Sequence, residues 1–348
     1  MLRLSSLGDV VLSSSFLRSL QALFPEAAID FVVRSDLQVV AQALPAVTRV
    51  VPVARHSSLR ELLRQARQLA ATQYDHVFDL HRSLRSRILV LHLRHRLRGG
   101  FDKQSLARWL LIHTHRDYYA KLGGTRTMRQ RMLQPLERMG LQPTLLPTQL
   151  LLSPAAQMAA QKHLTEDAAA DADSTLQWIA LAPGALWPSK QWPREHYLAL
   201  AEQLLEKASH RLVLVGGERE RQLCEAIAVA LPSPVQNLAG QLDILQTAAI
   251  LQRCRFAVVN DSGLLHIAEA VGCPVVALFG PTSPRFGYAP HLPSSQLLYR
   301  PPDCSPCSKN GSRPCHRPTQ ECMLRIDTAE VLQATERVVE PEHTAPQR

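Results

Sequence analysis

Apolar, β-branched stretches alternate with helical patterns along almost the whole chain. In the front half the strand candidates are Leu2–Leu4, Ile29–Val33, Val50–Val53 and His76–Leu80, and the helix candidates are Val10–Leu23, Leu59–Thr72 and Ser105–Leu111. Strands that alternate with helices pair in parallel, with the helices as crossover connections. The pattern therefore predicts an α/β fold with a doubly wound parallel sheet.

The alternation resumes after a less regular middle segment. From Gln134 to about Ser174 the order is lost, and we predict a linker near Pro143–Ser153 and a surface loop over the Ala/Asp-rich run Glu166–Ser174. Beyond it the strand candidates are Trp178–Ala182, Arg211–Val215, Phe256–Val259 and Pro274–Phe279, and the helix candidates are Arg194–Lys207, Glu218–Leu231, Asp243–Gln252 and Ser262–Val271. We expect two doubly wound domains, residues 1–150 and 151–348, each long enough to bury a core.

The formal net charge of +9 is uneven. Residues 1–170 hold 23 Lys+Arg and 12 Asp+Glu, which is +11, and the remaining 16 Lys+Arg and 18 Asp+Glu leave the back half at −2. A basic front half indicates a polyanionic partner: nucleic acid, an anionic membrane or a phosphorylated substrate. No apolar run approaches the ~20 residues of a membrane span. The N-terminus lacks a secretory pattern, which favours a reducing, cytoplasmic compartment.

A Ser-Ser-Leu-Gly-Asp turn at residues 5–9 follows a very short first strand and opens a helix. Gly8 allows a close backbone approach, and Asp9 lies in the first helical turn. Asp9 either complements the helix dipole or is a general base at the end of the strand. Only Met1–Leu4 precede the turn, so the sheet is expected to begin with a stub.

Two further turns follow strands of the back half. In Pro183–Pro193, Lys190 either neutralises a phosphate as a point charge or is a solvated loop lysine beside packing tryptophans. The segment Val215–Glu218 is typical of the ribose-holding end of a nucleotide site. It is not a GxGxxG fingerprint, and GxxxxGK[ST] is absent from the chain, which argues against a P-loop NTPase.

The strongest motif is Asn260–His266, which links a strand to a helix. Ser262, Gly263 and Leu264 would offer free backbone N–H groups at the helix N-terminus, an anion site that suits a diphosphate. The alternative is an Asp cap with a glycine for tight packing. His266, one turn into the helix, is either a ligand or a packing residue.

Four cysteines cluster near the C-terminus as Cys304-x2-Cys307-x7-Cys315-x6-Cys322, with His316 adjacent. The first pair has zinc-knuckle spacing, which the second pair does not repeat. The cluster would suit a structural Zn²⁺ or an iron–sulfur centre. Reduced thiols in a Pro-rich loop, or one disulfide, are the alternative, and no metal is assigned.

Together these segments resemble glycosyltransferase family 9, the ADP-heptose:lipopolysaccharide heptosyltransferases. The matching stretches are RLSSLGDVV at 3–11, DLHRSLRSR at 79–87, PGALWPSKQWP at 183–193, VGGE at 215–218 and NDSGLLHIAEAVGCPVVALFGPTSP at 260–284. The resemblance implies a GT-B architecture, with two Rossmann-like doubly wound domains facing each other across a cleft. The front domain would bind the acceptor and the back domain the nucleotide-sugar donor.

The family also implies an inverting, metal-independent transfer that needs no cofactor. A heptose or related sugar would pass from ADP-heptose to a phosphorylated lipopolysaccharide core acceptor. Asp9 would deprotonate the acceptor hydroxyl, Lys190 and the 262–264 turn would hold the diphosphate, Glu218 would face the ribose and Asp261 would order the phosphate turn. The candidate catalytic residues are Asp9 and Lys190, and the candidate donor-binding residues are Ser6, Gly8, Gly184, Glu218, Asp261, Ser262, Gly263, Leu264 and His266.

The densest basic run comprises Arg82, Arg85, Arg87, Arg94, Arg96 and Arg98. The first three are the candidate acceptor-binding residues, and the run could also contact the anionic inner membrane. The alternative is a solvated basic helix face. An aromatic content of 5% argues against nucleic acid as a partner. A transferase that uses another nucleotide sugar, and a nucleotide-sugar epimerase of the same architecture, stay open as functions.

Overall fold

The computed structural model describes residues 1–166, 176–232 and 235–339. Contacts between residues divide the chain into one unit formed by Met1–Ser105 with Thr125–Leu151, and another formed by Leu106–Gly124 with the described residues from Leu152 onward. The predicted boundary at 150/151 stays a prediction. The predicted surface loop over Glu166–Ser174 lies, from residue 167, outside the described residues.

The first unit, together with the segment Leu106–Gly124 that interrupts it in sequence, contains ten of the named elements. In chain order they are α1 (Leu7–Leu23), β1 (Asp30–Arg34), α2 (Gln38–Gln42), β2 (Arg49–Val53), α3 (Leu59–Ala70), β3 (Gln73–Phe78), α4 (Leu84–Leu91), β4 (Arg94–Gly99), α5 (Ser105–Thr114) and α6 (Met128–Glu137). β1 pairs in parallel with β2, and β3 with β4. Apart from Ser105, α5 belongs to the second unit.

The N-terminal residues join the two strand pairs of the first unit. Leu2 bridges Val32 on β1 and Asp79 just beyond β3, both in parallel. The stub predicted for Met1–Leu4 is confirmed, and the strand order becomes β2–β1–stub–β3–β4. A doubly wound sheet binds ligands where its strand order reverses, outside the carboxyl ends of the strands. In this unit that point lies between the stub and β3.

Helix α1 carries a run of buried serines that bind the segment of chain that follows α6. The Ser19 hydroxyl donates to the Thr144 carbonyl at 2.6 Å, and the Ser14 hydroxyl accepts from the Gln149 N–H at 2.9 Å. Residues 141–153 form neither helix nor strand. These hydroxyls pair backbone groups that an irregular segment would otherwise leave unsatisfied.

Two sequence predictions in this region are wrong in part. The basic residues 94–98 are not on a helix: they form β4, where the alternation of arginine with His95 and Leu97 follows the two-residue period of a strand. β4 pairs with β3 alone among the described strands, and charged side chains on such an edge discourage further pairing. The segment predicted to be irregular contains the end of α6 and all of α7 (Pro154–Glu166). Pro154 starts α7, a position that suits the fixed backbone of proline.

The second unit has a complete doubly wound sheet. After α7 its elements are β5 (Gln177–Ala182), α8 (Arg194–Leu205), β6 (His210–Leu214), α9 (Arg221–Ala228), β7 (Gln236–Asn237), α10 (Ile244–Arg253), β8 (Phe256–Asn260), α11 (Gly263–Ala270), β9 (Val275–Phe279), β10 (Gln296–Tyr299), α12 (Glu321–Leu324) and α13 (Thr328–Val339). The strands are all parallel, in the order β10–β9–β8–β5–β6–β7. The order reverses between β5 and β8.

The core of the second unit lies on both sides of this sheet. β8 and β9 are buried along their whole length, which explains their continuous apolar sequences. Leu111 of α5 and Tyr119 pack with Phe286 in a smaller cluster, which ties residues 106–124 to this unit. Among the described residues, no helix is both long and apolar enough to cross a bilayer.

Candidate functional site

Asp9 caps the N-terminus of α1 in the first unit. Its Oδ2 accepts from the N–H and from the hydroxyl of Ser6, each at 3.0 Å. The Arg3 guanidinium forms an ion pair with its Oδ1 and also donates to the Leu80 carbonyl. Arg3 and Asp9 are both buried, with side chains 5% and 11% exposed. The carboxylate is thus held in place from three directions.

The electrostatics keep Asp9 ionised. Burial opposes the charged form, but the Arg3 guanidinium and the two Ser6 donors outweigh it and hold the Asp9 pKa well below its usual range. Arg3 was not among the predicted site residues. The available signal was a charged side chain within the apolar stub, where a partner of opposite charge is needed.

The loop after β3 lies on the other side of the same reversal point. Asp79 Oδ1 accepts from the N–H groups of His81 at 3.0 Å and Arg82 at 2.7 Å, and Ser86 donates to Oδ2 at 3.0 Å. Burial, together with the charges of Arg3 and Lys103, lowers the pKa of His81 to about 4. His81 is therefore neutral at physiological pH. It was missed as a site residue although it stands within the 79–87 motif.

The three predicted acceptor arginines differ in how they are engaged. Arg82 donates to the Phe101 carbonyl. Arg85 donates to the Ala54 carbonyl at 2.6 Å and the Arg55 carbonyl at 2.8 Å, so it holds a neighbouring loop. Arg87 is exposed. A role in acceptor binding stays a prediction for all three.

Lys190 and Asp261 form an ion pair across the reversal point of the second sheet. Lys190 Nζ lies 2.6 Å from Asp261 Oδ2 and donates to the Asp261 carbonyl at 3.1 Å. The Thr282 hydroxyl donates to the same Oδ2 at 2.6 Å. The structure thus brings together the loops that follow β5, β8 and β9. Thr282 comes from the loop Gly280–Pro284, which its place after a strand predicts to close over the same pocket, although Thr282 itself was not among the candidate site residues.

Asn260 connects two of these loops and was also missed. Its amide nitrogen donates to the carbonyls of Pro183 at 2.8 Å and Gly184 at 3.2 Å, and its oxygen accepts from the Trp192 N–H at 3.1 Å. Asn260 is fully buried. A buried amide with its bonds satisfied fixes the loops on either side of Lys190.

The N-terminus of α11 differs from that of α1. Ser262 is its N-cap, but the hydroxyl makes no capping bond, and within the described residues this buried oxygen has no hydrogen-bond partner. The first N–H groups of a helix have no intrahelical acceptor. Ser262, Gly263 and Leu264 therefore present donors suited to an anion. His266 is buried on the same helix, with its ring 6.1 Å from that of Tyr288.

The loop after β6 places two acidic residues differently. The Glu218 side chain is largely exposed, with an oxygen 3.6 Å from Arg221, and its role at a ribose stays a prediction. Glu220 turns inward: its carboxylate accepts from the Gly217 N–H at 2.9 Å, and its methylene groups fill the space where Gly184 lacks a side chain. Gly184 thus permits a close approach between these two loops.

The four clustered cysteines line one small cavity of about 10 Å³. Burial and the neighbouring sulfurs raise the pKa of Cys322 to about 12 and raise that of Cys307. All four thiols are free. In the ranges that the structure covers, no group of three or more His, Cys, Asp or Glu side chains is arranged to hold a metal ion.

Comparison with known proteins decides the family. The family model of glycosyltransferase family 9 (heptosyltransferase) matches residues 62–315. The chain belongs to glycosyltransferase family 9. It is 30% identical over 305 residues to lipopolysaccharide heptosyltransferase 2 of Escherichia coli, covering 81% of this chain and 82% of that protein. It is 28% identical to lipopolysaccharide heptosyltransferase 1 of Pseudomonas aeruginosa, covering 92% of this chain and 88% of that one.

Solved family 9 structures agree with the fold. The structure of Escherichia coli ADP-heptose lipopolysaccharide heptosyltransferase II superposes with a TM-score of 0.74 at 25% identity, over 98% of both chains. The predictions of the family, of a glycosyltransferase and of a GT-B α/β architecture built from two Rossmann-like units are confirmed. The individual site residues stay predictions.

Proposed function

We propose that this chain transfers a heptose from ADP-heptose to a phosphorylated lipopolysaccharide core acceptor, with inversion at the anomeric carbon. The second unit would bind the donor. The observation that supports this most directly is the opening of α11, where the buried Ser262 hydroxyl has no hydrogen-bond partner in the described chain and makes no capping bond to the first turn. Lys190 stands beside them through its pair with Asp261.

The departing diphosphate would gain its stabilisation from this cluster. Negative charge builds up on the diphosphate as the bond to the sugar breaks, and prearranged donors stabilise such charge best. Lys190 supplies a cation, and the α11 N-terminus supplies backbone N–H groups. Because Asp261 already neutralises Lys190, the diphosphate would compete with this carboxylate for the ammonium group. Thr282 would keep Asp261 in place during that exchange, through its bond to Oδ2.

Asp9 would accept the proton of the acceptor hydroxyl. A low pKa makes Asp9 a weak base toward a free alcohol. However, the hydroxyl becomes strongly acidic once its oxygen begins to bond to the anomeric carbon. A carboxylate that is ionised before the reaction can then take the proton late in the transfer. Arg3 and Ser6 would fix the orientation of Asp9 for this step.

The acceptor would approach the basic surface of the first unit. On α4 and β4 the exposed side chains combine positive charge with apolar area. Arg87 lies on α4 with Leu84 and Leu91, which are 76% and 72% exposed, and Arg96 lies on β4 with Leu97, which is 53% exposed. This combination suits a lipid-linked phosphorylated sugar at an anionic membrane. Flotation with phosphatidylglycerol vesicles tests the membrane contact, and Leu84→Ser with Leu91→Ser is expected to reduce the bound fraction.

Two assays test the proposed transfer. Thermal unfolding with ADP, GDP and UDP should show the largest stabilisation with ADP. Incubation with ADP-heptose and a phosphorylated core glycolipid should add the mass of one heptose to the glycolipid. A preference for another nucleotide would indicate a different donor. Conversion of the nucleotide sugar in the absence of an acceptor would indicate an epimerase instead.

A further inference from the structure

The segment 304–322, which we name the cysteine-rich loop, packs against two of the loops that would form the donor site. On one side the Cys307 N–H donates to the Pro281 carbonyl at 3.1 Å, next to Thr282. On the other side the Gln320 side chain donates to the Ser189 carbonyl, next to Lys190. The cavity lined by the four cysteines also includes Ser189 and Pro281 in its wall.

Within the cysteine-rich loop, Gly311 lies directly against the side chain of Lys190. Its φ of +86° lies in the left-handed region, and a Cβ at this position would stand 2.8 Å from Cγ and 2.9 Å from Cε of Lys190. The Ser189 hydroxyl donates to the Gly311 carbonyl at 2.6 Å, and the Gly311 N–H donates to Ser308 Oγ at 2.9 Å. The Gly311 backbone is therefore held firmly along the methylene chain of Lys190.

We propose that Gly311 is a positioning residue for Lys190, and that the cysteine-rich loop is a further wall of the donor site, beside the loops that follow β5, β8 and β9. A lysine side chain has four rotatable bonds and many rotamers. The Gly311 backbone occupies the space into which the methylene chain would otherwise turn. This leaves the ammonium group directed at Asp261 and at the start of α11. The proposal rests on the proposed function, because it assumes that Lys190 binds the donor diphosphate.

Gly311→Ala tests the contact, and Gly272→Ala is its matched control. Gly272 has a similar φ of +83°, but no atom of the described residues lies within 4 Å of the position of an added Cβ. Both variants carry the same backbone penalty, so we expect similar losses in melting temperature. Only Gly311→Ala should weaken ADP binding, by about tenfold, as expected when one charge-assisted contact is misplaced. Equal ADP affinities for the two variants would overturn the proposal.

A double-mutant cycle separates this proposal from the donor assignment itself. If Gly311 acts through Lys190, Gly311→Ala should have little further effect on ADP affinity in the Lys190→Ala background. An additive loss would overturn the positioning role. If Lys190→Ala alone binds ADP like the unaltered protein, the donor assignment fails, whatever Gly311 does.

Ser189→Ala provides a second route in case Gly311→Ala does not fold. It removes the hydroxyl that fixes the Gly311 carbonyl but adds no atoms. We expect a two- to fivefold loss of ADP affinity and a rise in the donor KM, together with a lower kcat, because Lys190 would also stabilise the charge on the departing diphosphate. An unchanged donor KM would contradict the proposal.

Discussion

The two units share a doubly wound topology but use their helix N-termini in opposite ways. In the first unit, the N–H and the hydroxyl of the N-cap residue Ser6 both donate to Asp9, which places a carboxylate at the start of α1. In the second unit, the N-terminus of α11 is left open, because Ser262 makes no capping bond. The same strand–turn–helix arrangement thus presents a negative group in one unit and an anion site in the other. The difference lies in the side chains and not in the fold.

The ion pairs at the two reversal points also differ in origin. Arg3 and Asp9 are six positions apart and belong to consecutive elements. Lys190 and Asp261 are 71 positions apart and meet only because β5 and β8 are neighbours. Replacing Asp9 therefore tests the local geometry around the proposed base. Replacing Asp261 tests the assembly of the proposed donor site.

The largest effect is expected for Asp9→Asn. Loss of a general base lowers turnover by roughly 10²–10⁴-fold, whereas ADP binding, assigned to the other unit, should be unchanged. The buried Arg3 also loses its charge partner, which costs about 3 kcal/mol or more of stability. Turnover and ADP affinity are measured at a temperature at which the variant stays folded.

Asp75→Asn is the control for this change. Asp75 also pairs with an arginine, Arg96, and the two side chains are 78% and 75% exposed. Exposed ion pairs contribute about 1 kcal/mol or less, so stability and turnover should both stay close to those of the unaltered protein. Wild-type turnover by Asp9→Asn would refute its role as the base.

Lys190→Ala is expected to weaken ADP binding, which Asp9→Asn should leave unchanged. We expect a 10- to 100-fold loss of ADP affinity, the range of one hydrogen bond to a charged group. The exposed Lys207, in the same unit, provides the control Lys207→Ala, which should bind ADP normally. Isothermal titration with ADP measures both. Equal affinities for the two variants would remove the distinction drawn between the two helix N-termini.

The pH dependence of the melting temperature tests the electrostatics of the first unit. The pKa of His81 is lowered to about 4, so the folded protein keeps this side chain neutral where an unfolded chain, with a pKa near 6.5, takes up a proton. This contribution to stability is complete above about pH 6.5 and is lost as the pH falls toward 4. His81→Asn should flatten the dependence of the melting temperature on pH in this window, whereas the exposed His56→Asn should not. A parallel decline in all three proteins would contradict this assignment.

The smallest effect is expected for Arg87→Ala. This exposed arginine should contribute to acceptor affinity by long-range attraction, so its loss should raise the acceptor KM about two- to fivefold at low salt and less at high salt. Stability and ADP affinity should not change. Arg85→Ala, by contrast, should lower the melting temperature, because Arg85 holds the Ala54 and Arg55 carbonyls. If Arg87→Ala leaves the acceptor KM unchanged at low salt, this surface does not bind the acceptor.

Much of the fold follows from local sequence pattern. The four strands and four helices predicted beyond residue 175 lie within a few residues of their observed positions, because a buried parallel strand needs a continuous apolar run and a helix needs its own period. The short or late elements β7, β10, α12 and α13 were not predicted. The errors fall where local signals compete. Arginines at 94–98 suggested a solvated helix face although their spacing is that of a strand, and prolines at 143–154 hid the start of α7.

The candidate site was predictable only as separate motifs. By itself the sequence determined the doubly wound pattern, the short first strand, and the turns that carry Asp9, Lys190 and Ser262, because each depends on neighbouring residues. The tertiary structure decided which distant groups meet: Arg3 with the Leu80 carbonyl, Asn260 with the loop of Lys190, and Gly311 with the Lys190 side chain. These contacts depend on strand order and on how loops pack, and neither property is encoded in the spacing of residues along the chain.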